Sequence, residues 1–557
     1  MGRSAVALVL SAVAAGCVGD LGGGSGPVRP PGAGGALWAC RDTSGIALGS
    51  APVRRLTNRE LENTLNDLFG VPLPELPEQP PDAVREGTFE NDAVALGPSD
   101  LRVARWEQTA MTLGEHVASS PEAWDRVVPC ARGAVDGACG RELIRTFGAR
   151  ALRRPLTMAE EDRYAAFFDA QQAAVDAEAA VQLTVAALLQ APQLMYRLEL
   201  PAEGAPAGHV ELTSYEVASR LSYFLWESMP DDELFRAAHA DELRSEEGIR
   251  RQAERMLNDE RARATVRNLA RQWLHLDRVL GEEKDPAAFP AWSYPVRAAA
   301  LEESERLVAS VVFHPDPSRR TLRELLTTAE ATVSPELAAL YGIDGSGAVT
   351  LPASERAGIL TRVAFLAGQA HEANGSPPLR GVALMERLLC EPRGTPPANA
   401  DVTPPQNEQG EPPRTNRELF AARTAPSACQ TCHERIDGFG FGFEHYDATG
   451  AYRTTDAGFP VDATGIVTGT DNNGAYDGAV ELQARLADSV TVHQCVAQQW
   501  FRYAYGRGAE APERCHLERI QQRFVDSGGD LRDLLVALVT APEFRLRPPT
   551  SPEEASP

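Results

Sequence analysis

The chain has 557 residues, 43% of them hydrophobic, and a formal charge of −24. That is room for roughly three or four domains with real cores. The acidic balance, with no basic stripe, argues against a nucleic-acid partner and against electrostatic docking on anionic lipid; Lys284 is the sole lysine among many arginines.

Residues 1–16 hold one early cation, Arg3, then the apolar run Ala5 to Leu10, then Ala14-Ala15-Gly16 directly before Cys17. The run is far shorter than the roughly 20 residues of a membrane span, so it reads as an export signal. Small residues just before a cysteine predict a lipoprotein, with Cys17 left as a lipidated N-terminus. Two or three acyl chains anchor firmly, whereas one chain holds only marginally. By resemblance to lipoprotein sorting signals, Val18 after the cysteine points to the outer membrane. Residues 17–50, rich in Gly and Pro from Gly19 to Gly35, suit a flexible tether. No other stretch is long and apolar enough to cross a bilayer.

The remainder reads as mainly α, a multidomain helical array with few short strands. Its helix starts are legible as capping boxes, Thr or Ser followed three residues later by Glu. They fall at Thr57…Glu60, Thr157…Glu160, Thr213…Glu216, Thr321…Glu324 and Thr415…Glu418. Leu56 is placed to staple onto Leu61, and the first helix runs through Leu65 and Leu68 to Gly70. The Thr213 helix carries Val217, Leu221, Tyr223, Phe224, Leu225 and Trp226, a core face. Ser334-Pro335 opens another helix, closed by Gly342. Glu302, Glu303 and Glu305 beside Arg306 read as a solvated helix face. A weak echo links Ala187 to Arg197 (ALLQAPQLMYR) with Ala537 to Arg547 (ALVTAPEFRLR). Proline-rich breaks fall at Pro72–Pro81 and Pro392–Pro413, with a small-residue break at Pro201–Gly208. Gly438 to Gly478 reads as loops with short strands. Within it, Asp471-Asn472-Asn473-Gly474 reads as a turn, because it lacks the alternating ligands of a calcium loop.

Cys429-Gln430-Thr431-Cys432-His433 is the C-x-x-C-H pattern at which haem is attached covalently. Residues three and four apart share a helix face, so both thiols can meet the haem vinyls while His433 meets the iron. A zinc site would need more ligands nearby, and no second C-x-x-C exists. A thioredoxin-like pair would expect a βαβ surround. Of the nine cysteines, Cys17 goes to lipid and two to haem, leaving Cys40, Cys130, Cys139, Cys390, Cys495 and Cys515. An even remainder in an exported chain predicts disulfides. Nearness favours Cys130–Cys139 and Cys495–Cys515, leaving Cys40–Cys390.

Several motifs carry a resemblance. They are Arg54-Arg55-Leu56-Thr57…Glu60, Arg153-Arg154-Pro155-Leu156-Thr157, Ala218 to Trp226, Gly358 to Thr361, Ser376-Pro377 with Arg380-Gly381, Cys429…His433…Asp437 to Phe441, and Tyr503 to Arg507. In these the chain resembles the multidomain planctomycete-type cytochrome-c-like proteins of unknown function. The resemblance implies five modules: 53–118 (domain of unknown function 1587), 139–199 (1595), 211–338 (1592), 355–454 (1588) and 478–548 (1585). The fourth would be the cytochrome-c-like haem segment near the C-terminus. The family pattern has Asp-Pro after the motif; Gly438 stands in the proline position, which predicts a looser loop there.

The distal iron ligand is open. Met385 is the last methionine, so the usual downstream methionine is excluded. Candidates are His371, before the loop Asn374 to Pro377 that the resemblance singles out, Met385 and His445, or an open position. His493 and His516, in a helical segment, read as surface or packing residues. A pocket is expected between the segment around His371 and residues 439–452. Two functions compete: a lipid-anchored, exported c-type cytochrome with one covalent haem c and a protein redox partner, and a non-redox scaffold or ligand-binding lipoprotein. No enzymatic activity is assigned.

Overall fold

The computed structural model describes residues 45–46, 48–85, 87–199, 210–392, 394, 402–407 and 410–549. Cys17, Cys40 and the leader and tether around them lie outside the described residues. The described chain is mainly helical, and its strands form only two-stranded antiparallel ribbons. The Thr57, Thr157, Thr213 and Thr415 boxes are closed in both directions. At Thr321 only half of the box forms: the hydroxyl caps Glu324 N, while the Glu324 carboxylate turns to Arg319.

The echo is structural. Arg54–Arg55 pairs with Tyr196–Arg197, and Val210–Glu211 pairs with Leu546–Arg547. In each ribbon, the strand before a capping-box helix meets the strand after an Ala-Pro turn. The register is the same in both: Leu56 N donates to Met195 O and Leu212 N to Arg545 O, at 2.8 and 2.9 Å. Each turn is also held by an arginine, buried Arg153 on Gln193 O and Leu194 O, and half-buried Arg220 on Phe544 O.

Two hydrophobic cores result. One spans Leu56 to Met195, centred on Trp106, Trp124, Phe147 and Phe168. The other runs from Leu212 to Phe544, around Trp226, Trp273, Phe365 and Trp500. Tyr223 crosses into the first core, its hydroxyl 2.8 Å from Thr64 Oγ1. Glu227 joins the two bodies. It is buried at φ 50°, and it accepts from Arg59, Asn268 and Tyr503. Such a backbone is strained for a non-glycine residue and is held here by three donors from separate segments.

Two disulfides lie within the described residues. Cys130 pairs with Cys139 as expected, with Cα atoms 6.1 Å apart. The other pairings are corrected: Cys390 bonds Cys495, Cα to Cα 5.3 Å, so neither Cys495–Cys515 nor Cys40–Cys390 forms. The chain does fold back after Gly506, but Cys495 lies ten residues before the end of helix Val490–Tyr505 and Cys515 at the start of Arg514–Asp526. At 1.5 Å per residue that leaves them about 15 Å out of step. Cys495 faces the helix Pro377–Leu388, and Cys515 is itself disulfide-bonded.

Glu303 is a second correction. It is buried against Arg362 at 3.3 Å and accepts from Tyr341, while Glu302 pairs with Arg306 at the surface.

Candidate functional site

The C-x-x-C-H residues open the helix Ser427–Gly440. Its first turn is exposed and its last turns are buried, so Cys429 and His433 sit at half depth and Cys432 outside. The expected loop at Gly438 is absent: the helix runs through it, and Tyr476 Oη donates to Gly438 O at 2.6 Å.

The helix is seated against Pro377–Leu388 by two glycines. A Cβ on Gly381 would collide with Ile436 O, and one on Gly440 with Pro377 O. The pairs 377/440 and 381/436 define an antiparallel register. Carried one turn further, it sets the Met385 position opposite the Cys432 position. Arg435 adds an ion pair with Glu391.

Cys429 and Cys432 are the free cysteines of the described chain. His433 Nδ1 lies 3.1 Å from Asp437 Oδ1, one turn on. Asp437 is buried, and its Oδ2 is 2.8 Å from Thr424 Oγ1 on the neighbouring helix Asn416–Thr424. His433 Nε2 has no partner among the described residues. The donor set fits a covalent haem: two unbridged thiols three apart, and an adjacent imidazole whose other nitrogen is already held. Among the described residues no group of three or more His, Cys, Asp or Glu is arranged to hold a metal ion directly.

The distal candidates separate. His371 stacks on Phe420, ring centroids 6.3 Å apart, one turn before Thr424 on the same helix. Burial lowers its pKa, with the Lys284 and Arg380 charges acting the same way. Met385 is half-buried on the helix that seats the motif. His445 stacks on Tyr452, and its Nδ1 is 2.9 Å from Arg453 O. The segment after His371 does meet residues 439–452: Asn416 Nδ2 bridges Gly375 O and Glu444, and Arg380 reaches Phe443 O, Tyr446 O and Asp447 O.

Lys284 was not singled out as a site residue. It is buried, and its Nζ donates to Ala367 O, Ala370 O and His371 O at 3.1, 3.2 and 3.0 Å. All three ammonium protons are thus used, and burial pulls its pKa down to about 8. A lysine takes three acceptors around a point, where arginine needs a planar fork. The signal was present in the sequence, as one lysine in an otherwise arginine-only chain. Asp471 is used similarly as a cap, accepting from Val490 N and Thr491 N at 2.9 and 3.0 Å.

His493 and His516 belong to the C-terminal helices. His493 Nδ1 lies 2.9 Å from Ser489 O. His516 is fully buried between the rings of Phe501 and Tyr505, with neither ring nitrogen hydrogen-bonded and Glu543 Oε2 3.7 Å away. Burial lowers its pKa to about 4. The unfolded chain, with histidine near 6.5, therefore binds more protons below that pH. Stability should be full above pH 6.5 and fall as pH drops towards 4, by about 3 kcal/mol for this group. His275, lowered to about 4 by burial and then by Arg387 and Arg278, adds to the same window. Denaturant midpoints between pH 7 and 4 should fall less steeply in His516→Gln than in the wild type; equal slopes would remove His516 from this account.

A separate cavity of about 170 Å³ lies where Leu152–Arg154, Gln193–Glu199 and Thr213–Ser219 meet. Its charges are largely paired, Arg154 with Glu160 and Arg220 with Glu199.

The fold and motif define a multi-module helical protein with a C-x-x-C-H helix in its fourth segment. Five family models match in chain order, each described as a protein of unknown function: DUF1587 at 54–119, DUF1595 at 139–199, DUF1592 at 212–343, DUF1588 at 356–456 and DUF1585 at 473–544. The chain belongs to the planctomycete cytochrome-c-like multidomain set. Comparison with curated proteins and with solved structures gave no match.

Proposed function

We propose that this chain is an exported, lipid-anchored c-type cytochrome of periplasmic or cell-surface redox chemistry. One haem is attached at Cys429 and Cys432, with His433 as proximal ligand and Cys17 as the lipid anchor at the outer membrane. The supporting observation is the state of the cysteines. Cys130, Cys139, Cys390, Cys495 and Cys515 are in disulfides, while Cys429 and Cys432 remain thiols beside an imidazole nitrogen that no described residue uses. Haem bound there supplies one-electron transfer at iron. The helical modules position it and dock a protein redox partner. The distal position would be served by His371, Met385 or His445, or left open.

The test is the mass and the spectrum of protein exported from cells carrying haem-maturation machinery. Denatured protein should keep its haem through acid extraction and gain the mass of one haem. Cys429→Ala and Cys432→Ala should each weaken retention. Cys17→Ser should release the protein from membranes. A bare polypeptide mass with no Soret band would end the cytochrome reading. It would favour the second one, a non-redox scaffold or ligand-binding lipoprotein, for which the cavity beside Arg153 and Glu199 is the supporting feature.

A further inference from the structure

We infer that Asp437 is the positioning residue that sets the electronic character of His433, and through it biases the iron towards the ferric state. The inference rests on the reading of His433 as the proximal ligand.

The hydrogen bonds fix the tautomer. A carboxylate only accepts, so the 3.1 Å contact makes His433 Nδ1 the donor. A neutral imidazole has one N–H, which leaves the Nε2 lone pair free for iron. The carboxylate is itself held. Thr424 has one hydroxyl proton and two acceptors in reach, Phe420 O at 3.0 Å and Asp437 Oδ2 at 2.8 Å. The charged acceptor forms the stronger bond, so Thr424 orients Asp437 while Asp437 orients His433.

The spacing makes this arrangement local and rigid. His433 and Asp437 are four apart on one helix, hence on one face. Asp437 is 5% exposed, so little water dilutes its charge at the imidazole. The helix is locked beneath them by Gly381 and Gly440 against Pro377–Leu388. A carboxylate that draws the Nδ1 proton towards itself makes Nε2 a stronger donor. A stronger donor stabilises ferric over ferrous iron, because the oxidised ion has one more positive charge to share. No proton leaves the site in this account: it stays between Nδ1 and Oδ1, closer to oxygen when the iron is oxidised. The carboxylate thus lowers the reduction potential through outer-shell hydrogen bonding and buried charge.

The test uses the full-length, haem-loaded protein. Asp437→Asn keeps the shape but replaces the charged acceptor with a neutral one. The reduction equilibrium constant should rise at least tenfold, which is about 59 mV for a one-electron couple. The hyperfine-shifted ring-proton resonances of His433 in the ferric protein should move as well, because the imidazole loses anionic character. Thr424→Val should shift both readouts in the same direction by a smaller amount, and Thr424→Ser should restore them. If Asp437→Asn fails to fold, the Thr424 pair carries the test. Covalent haem with potential and His433 ring-proton resonances unmoved in Asp437→Asn, or in Thr424→Val where that pair alone is read, would overturn the inference while leaving the cytochrome reading intact. Absence of haem from the wild type would instead overturn the reading beneath it.

Discussion

Arg380→Ala is expected to abolish stable folding. The guanidinium is fully buried and spends its donors on backbone oxygens: Nε and Nη2 on Leu366 O, Nη1 on Phe443 O and Tyr446 O, and Nη2 also on Asp447 O. Burial, partly countered by the Glu444 carboxylate, pulls its pKa down to about 10. Truncation leaves Leu366 O and Tyr446 O without a donor, while Phe443 O and Asp447 O keep the backbone N–H groups of Tyr446 and Gly450. At about 1–3 kcal/mol for each buried group left unsatisfied, the loss is about 2–6 kcal/mol, and the emptied side-chain volume adds to it. That rivals the whole stability of an ordinary domain, about 5–15 kcal/mol. Arg380→Lys should not rescue, because three donors on a point cannot span four acceptors spread in a plane. Urea unfolding of the purified protein measures this; a midpoint within error of the wild type would show that the carbonyls find other partners.

Removing the Cys390–Cys495 bridge should cost nearly as much. It closes a sequence separation of 105 residues. Loop entropy then gives roughly 4–5 kcal/mol, against about 2.5 kcal/mol for the nine-residue separation of Cys130–Cys139. The double variants, each pair changed to alanine, should therefore lose denaturant midpoint in that order. Equal losses would mean that the reduced chain keeps the Pro377–Leu388 and Val490–Tyr505 helices together without the bond.

Short-range features were open to reading in the sequence. Capping boxes are four-residue devices, and those at Thr57, Thr157, Thr213 and Thr415 needed nothing from elsewhere to form. The C-x-x-C-H turn is equally local. What failed required knowing which face a helix turns to which neighbour. Cys495 looked nearest to Cys515 along the chain, yet the face of its helix points at Cys390. Glu303 looked like its neighbours Glu302 and Glu305 until Arg362, from a distant segment, came to meet it. Gly438 looked like a loosened loop because its role depends on Tyr476 arriving from a later hairpin. Asp437 was visible as part of a motif. Its work on His433 becomes visible only once Thr424 is seen to hold its second oxygen.

The two ribbons of equal register also set an order of events during synthesis. The first closes when Tyr196–Arg197 follows Arg54–Arg55, so the N-terminal core can complete itself early. The second cannot close until Leu546–Arg547 emerges to meet Val210–Glu211. At about 5–20 residues per second, the roughly 335 residues between Glu211 and Leu546 take on the order of 20–70 s to appear. Through that interval the larger part of the chain lacks its closing strand and its Trp500 side of the core. A nascent chain held open for so long leaves the apolar faces between Leu212 and Phe544 uncovered until its last residues arrive.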